Sequence, residues 1–282
     1  MKLYMTGALC AALCVVTACK KDGTSLDAKD FPSNVGDPAI IELLNPGSGT
    51  PKALRLSPVI DSTQIVHFSA SIDAGRVSIR MDMNINTVVA RIHDDGSFDL
   101  VGTPSDVELT RNGDEVSASE IRGAFEVRTT LTPRGENETT TLDEDGAGDA
   151  AGPISDSIKY PGYIFPEEPV GMGAKWTAKE TVESKGILLF QQVLYEITAL
   201  EVDSVTMKLT VTQDAPRQSV FLGGQSATID SYDGRGTGEL TQGFANGMPT
   251  SLKVEMKQTT QVSAGGSSQK VSASSRIAIS LP

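Results

Sequence analysis

Few side chains in this 282-residue chain are of a type and spacing that could make or break bonds. His67 and His93 are its two histidines, and neither has a second His at zinc-ligand spacing. The nucleophile elbow Gly-x-Ser-x-Gly does not occur. Asp143, Asp145 and Asp149 in DEDGAGD suggest calcium, but the run fails the EF-hand spacing and reads as a solvated acidic loop. Asp233-Gly234-Arg235-Gly236-Thr237-Gly238 has the alternating glycines of a phosphate cradle. A cradle needs a helix after it, whereas Glu239, Leu240 and Thr241 continue as strand. A hairpin whose glycines permit a bulge or a close backbone approach is expected instead. Glu167-Glu168 could serve acid–base work only if their separation in space allowed it. This inventory predicts no enzyme, no cofactor and no metal site.

The chemistry that the sequence does offer lies in Cys19. Residues 1–22 read MKLYMTGALCAALCVVTACKKD, with Lys2 as a positive start and an uncharged, apolar run from Thr6 to Val16. A secretory apolar region is about 7–15 residues long, against about 20 for a membrane-spanning helix. Small residues, Thr17 and Ala18, precede the cysteine. The segment resembles the signal sequence and lipobox of a bacterial lipoprotein. That resemblance implies cleavage between Ala18 and Cys19, acylation of Cys19, and lipid anchoring to the cell envelope. Lys20, in place of the Asp that retains such proteins, implies the outer membrane. Cys10 and Cys14 would leave with the leader, so the mature protein has neither a disulfide nor a free thiol. Two buried acyl chains give stable anchoring at about 0.8 kcal/mol per CH₂.

Three regions are expected: a signal peptide at 1–18, an acylated N-terminus and flexible tether at 19–51, and a β-rich domain at 52–282. Gly, Pro, Ser and Asp dominate the tether. Within it, Pro38 to Leu44 reads as one or two helical turns with Asp37 as N-cap. Pro133 to Pro153 reads as a mobile acidic loop, and Ile154 to Tyr160 as a short helical turn. The formal net charge of −12 argues against nucleic acid as a partner.

The positioning elements are strands. Val77, Ile79, Met81, Met83 and Ile85 alternate with polar residues. So do Ile121, Phe125, Val127 and Leu131, and so do Val205, Met207, Leu209 and Val211. Leu252, Val254 and Met256 repeat the rule, as do Val271, Ala273, Ile277, Ile279 and Leu281. Ile187 to Val202 also fits a strand better than a helix. Period two means one buried and one wet face, which antiparallel sheets tolerate. Asp95-Gly96, Asn112-Gly113, Gly223-Gly224, Asp233-Gly234 and Gly265-Gly266 supply tight turns. The fold class is mainly β: a large antiparallel sheet forming a curled open barrel or a sandwich, with few short helices. A membrane-spanning barrel needs aromatic girdles, and aromatic residues are 5% here.

Phe165 to Trp176 reads FPEEPVGMGAKW, with Gly171 and Gly173 ahead of the only tryptophan. This segment, with Asp-Gly-x-Gly-x-Gly further on, resembles a family of uncharacterised bacterial lipoproteins carrying a Pro-Val-Gly-x-Gly-x-x-Trp motif. The resemblance implies relatives but no activity. Trp176 is either a core anchor after a tight turn or part of a ligand-contacting rim. Two non-catalytic functions follow from the whole reading, with a hydrolase of a cell-wall or polysaccharide substrate as a third alternative. One is a non-catalytic envelope lipoprotein, bound to the membrane through its lipid, whose curled sheet holds an apolar ligand or lipid. The other is an envelope scaffold that binds another envelope protein.

Overall fold

The computed structural model describes residues 26–116, 126–142, 163–184, 186–222 and 225–282. The leader, the Ala18–Cys19 junction, the acidic run Asp143–Asp149, the Ile154–Tyr160 turn, Ile121, Phe125 and Gly223-Gly224 lie outside these residues.

A 3-10 turn at Ala28–Asp30 precedes two short strands, β1 (Ile40–Asn45) and β2 (Ser48–Lys52). Three long strands follow: β3 (Thr63–Ala74), β4 (Val77–Ile92) and β5 (Phe98–Arg111). Then come β6 (Asp114–Glu115), β7 (Val127–Leu131), β8 (Asn137–Leu142) and β9 (Val170–Met172). The second half holds β10 (Lys175–Ser184), β11 (Ile187–Leu200), β12 (Ser204–Asp214) and β13 (Gln218–Leu222). It ends with β14 (Gln225–Gly243), β15 (Ser251–Ala264) and β16 (Ser267–Ser280).

Among the described residues, fourteen strands form one antiparallel sheet: twelve follow the path β1-β10-β11-β12-β14-β15-β16-β3-β4-β5-β7-β8, and β13 pairs with β14 and β6 with β5 beside it. The fold class is therefore as expected: a single large antiparallel sheet, curled but not closed. β2 and β9 form a separate pair. Asp95-Gly96, Asn112-Gly113 and Gly265-Gly266 turn the chain where expected, with Gly96, Gly113 and Gly266 all at positive φ.

Register places the alternating apolar residues in rows across the inner face. Trp176, Tyr195, Leu209, Gly238, Val254 and Ile277 stand side by side. One residue out of step, Lys175, Glu196, Lys208, Glu239 and Lys253 form a row of alternating charge on the outer face. Opposite charges facing each other across strands are favourable, and water keeps each pair weak. Lys175 and Glu196 are 3.3 Å apart.

A plug fills one end of the curl. Leu54, Tyr163, Phe165 and Trp176 are almost wholly buried there. The strand ends at this pole bring Trp176 and Tyr195 into a stack with ring centroids 5.2 Å apart. The Phe165 N–H donates to the Arg134 carbonyl at 2.8 Å, and the Arg134 Nε–H donates back to the Phe165 carbonyl at 2.9 Å. The Trp176 Nε1–H donates to the Ile164 carbonyl at 2.8 Å. The segment 163–166 thus ties the β7–β8 turn, at one margin of the sheet, to β10 near the other. A direct link also exists: the Ala39 N–H donates to Glu136 Oε1 at 2.9 Å.

Three expectations are corrected. The helical turn expected over Pro38–Leu44 is strand β1. Asp37 does not cap a helix; its carboxylate accepts from the Asn34 N–H and amide instead. Ile41 and Leu43 point inward to pack on the core, and the strand pairs with β10. The folded unit consequently starts well before residue 52, and Phe31 is already buried, 5.2 Å from the Phe190 ring. The loop expected over 133–153 begins with strand β8, where three consecutive threonines suit an edge strand without needing an apolar face. Asp233-Gly234 is not a hairpin but the middle of β14, one uninterrupted 19-residue strand. Its glycines have another use, described below.

Candidate functional site: a trough on the inner face

At the pole away from the plug, the inner face forms a trough of about 490 Å³. Its walls come from β11, β12, β15 and β16, with Phe68 and Ile72 of β3 at one side. Apolar side chains dominate: Leu189, Val193, Val211, Val254, Met256 and Ile277. Ile72 is 42% exposed, an aliphatic side chain left facing solvent at the rim.

Three glycines of β14 lie on the same face of the sheet beneath this lining. Gly234, Gly236 and Gly238 lie on the inner face, opposite Gln213, Val211 and Leu209 of β12. A methyl group on Gly236 would sit 2.6 Å from Met256 Cγ, and one on Gly238 would sit 2.4 Å from the Lys253 carbonyl oxygen. Both distances are far inside van der Waals contact. The stripe lets the neighbouring strands lean over β14, which tightens the curl of the sheet around the trough. The sequence reading of a close backbone approach is met, without the hairpin.

One row on this apolar face is polar. Glu180, Gln191, Gln213, Gly234 and Gln258 face one another across β10, β11, β12, β14 and β15. The hydrogen bonds run in one direction. The Tyr232 hydroxyl donates to Gln213 Oε1 at 3.0 Å, Gln213 Nε2 donates to Gln191 Oε1 at 2.7 Å, and Gln191 Nε2 donates to Glu180 Oε2 at 3.3 Å. The chain ends on a carboxylate. Burial pushes the Glu180 pKa above the usual carboxylate range; the Gln191 hydrogen bond opposes this, and the nearby charge of Glu136 adds to it. Burial, reinforced by Asp233, pushes the Tyr232 hydroxyl up to about 12, so it is a neutral donor at ordinary pH. A part-buried polar row is favourable where its members bond one another.

Sequence reasoning missed this row, although a signal exists. Gln191 falls on the register of Leu189, Val193 and Tyr195; Gln213 falls on that of Leu209 and Val211; Gln258 falls on that of Val254 and Met256. Three strands thus turn polar on their apolar register. Only the strand order aligns the three positions.

The residues that the sequence singled out lie elsewhere. Trp176 is fully buried in the plug and away from the trough, so its place is that of a core anchor. Gly171 accommodates the close approach of Ser48, whose carbonyl oxygen would be 2.2 Å from an added methyl group. Gly173, at φ +75°, turns the chain from β9 into β10. Glu167 and Glu168 are exposed in the preceding bend, where Arg55 donates to the Pro166 and Glu167 carbonyls. His67 sits on the outer face, 3.8 Å from Asp82. His93 lies at the β4–β5 hairpin, its Nε2 3.1 Å from Asp99 Oδ1. That contact, aided by Thr130, holds the Asp99 carboxyl below the usual range. The nearby Ser97 hydroxyl donates to Asp95 and not to His93, so the three do not form a nucleophilic relay. Among the described residues, no cluster of three His, Cys, Asp or Glu side chains could hold a metal ion, and no helix is long and apolar enough to cross a membrane.

No protein-family model matches the chain, and no curated protein matches it.

Proposed function

We propose that this protein is a non-catalytic, lipid-anchored envelope protein whose curled sheet takes up an apolar molecule in the trough. The observation that carries the reading is the trough itself: about 490 Å³ of mainly aliphatic lining at the pole that the plug leaves free. Small-molecule sites are concave, mostly apolar, roughly 300–1,000 Å³ in volume, and furnished with a few placed polar groups. The Gln191–Gln213 row supplies such groups. A filled sheet interior would have favoured a scaffold; here buried core residues such as Phe68, Val193 and Leu252 border an open concavity. The anchoring part of the proposal rests on the lipobox-like run ending at Cys19.

Native mass spectrometry of the full chain, purified from its membrane in mild detergent, tests the reading. A co-purified apolar molecule that leaves on collisional activation is the expected result. A bare polypeptide mass from several hosts would overturn uptake and favour the scaffold.

A further inference from the structure

The charges around the trough narrow what it would hold. Among the residues lining it, Glu183 is the only charged one, and none is Lys, Arg or His. The polar row ends on a second carboxylate, Glu180. The cations of these strands lie on the other face: Lys208, Lys253 and Lys257 all belong to the outer register. The inner row instead offers amides. Gln191 and Gln213 each use one N–H of their carboxamide within the row and keep a second. Gln258, opposite Gly234, lines the same trough, and its carboxamide has no hydrogen-bond partner among the described residues.

Taking the trough as a site for an apolar molecule, we infer that its occupant is a single-chain amphiphile with an uncharged, hydrogen-bonding head. The chain lies along Val211, Met256 and Ile277, and the head meets Gln213 and Gln258. A hydroxyl or amide head can accept from the free amide N–H groups and donate to the Gln258 carbonyl oxygen. A carboxylate or phosphate head has no proton to donate to the Gln258 side-chain oxygen, and the trough lining offers Glu183 and no cation to offset its charge.

Isothermal titration of the full chain at pH 7 with 1-decanol below its solubility limit, and with decanoate and decylammonium below their micelle-forming concentrations, separates the possibilities. The three share a chain and differ only in the head. Decanol is expected to bind about tenfold or more tightly than decanoate, the scale of one or two hydrogen bonds. Equal binding of decanol and decanoate overturns the head-group assignment while leaving chain uptake standing. Tighter binding of decylammonium than of decanol overturns it too, because the acidic groups would then be a cation site. If none of the three binds, the proposed function itself fails. Gln213→Leu is expected to bring decanol and decanoate within about threefold of each other. Gln258→Leu, which breaks no side-chain hydrogen bond among the described residues, gives the same readout should Gln213→Leu fail to fold. An unchanged preference in Gln258→Leu argues against the placement of the head.

Discussion

Glu180 is a carboxyl on the mostly apolar inner face of the sheet, at the end of its one polar row. Its position is tolerable because Gln191 donates to it, and it is costly because burial disfavours its charge. The folded state therefore binds this proton more tightly than the unfolded chain does. Its contribution to stability is fully present below the unfolded value of about 4.3 and is lost as pH rises through the raised folded value. Glu180→Gln keeps an acceptor for Gln191 and removes the charge. The variant is expected to unfold at higher denaturant concentration than the parent at pH 7, with the gap narrowing towards pH 4. A midpoint unchanged at pH 7 would show that the carboxyl is better solvated than its place in the row implies. Trp176 makes the contrasting case. Its indole N–H has the Ile164 carbonyl and its ring has Tyr195, so a lone tryptophan that could have marked a binding rim is instead part of the plug.

At the scale of elements, β14 links local sequence to global shape. Its three alternate glycines put no side chain where Met256 and the β15 backbone lean in. Gly236→Ala would force Met256 or the Glu255 carbonyl aside, an overpacking cost of about 1–3 kcal/mol. A thermal melt should show a lowered midpoint, whereas Gly265→Ala, in an open turn, would act only through its positive φ. How legible each element was in the sequence follows the same physics. The strands with strict alternation, β4, β12 and β15, could be read because one face is dry and the other wet. Strand β1 could not, since Ile40 to Leu44 is nearly all apolar and only its pairing with β10 selects Ile41 and Leu43 as the inward pair. Strand β8 was hidden because an edge strand of threonines has no apolar register to display. The Asp233-Gly234 pair carries a turn signal, but neighbours on both sides, β12 and β15, hold it in extended backbone. The polar row was spread over residues 180, 191, 213 and 258, and no local window contains it.

For the whole molecule, the arrangement is a sheet plugged at one pole and hollowed at the other, proposed to hang from a lipid on Cys19. The net charge of −12 keeps the domain itself from adhering to anionic headgroups, so attachment should depend on the lipid alone. Cys19→Ser is expected to move the protein from the membrane fraction to the soluble one after a carbonate wash. Retention of the variant in the membrane would mean that another surface holds it there. The hollow pole is the more central matter, because uptake of a chain there is what separates a carrier from a scaffold. Methyl-resolved NMR of the full chain titrated with 1-decanol examines it directly, since the two poles carry different reporters. Uptake predicts saturable shifts at Met256, Ile72 and Ile277 with little change at Leu54 and Ile164. Shifts confined to the plug methyls, or none at the trough, would contradict it.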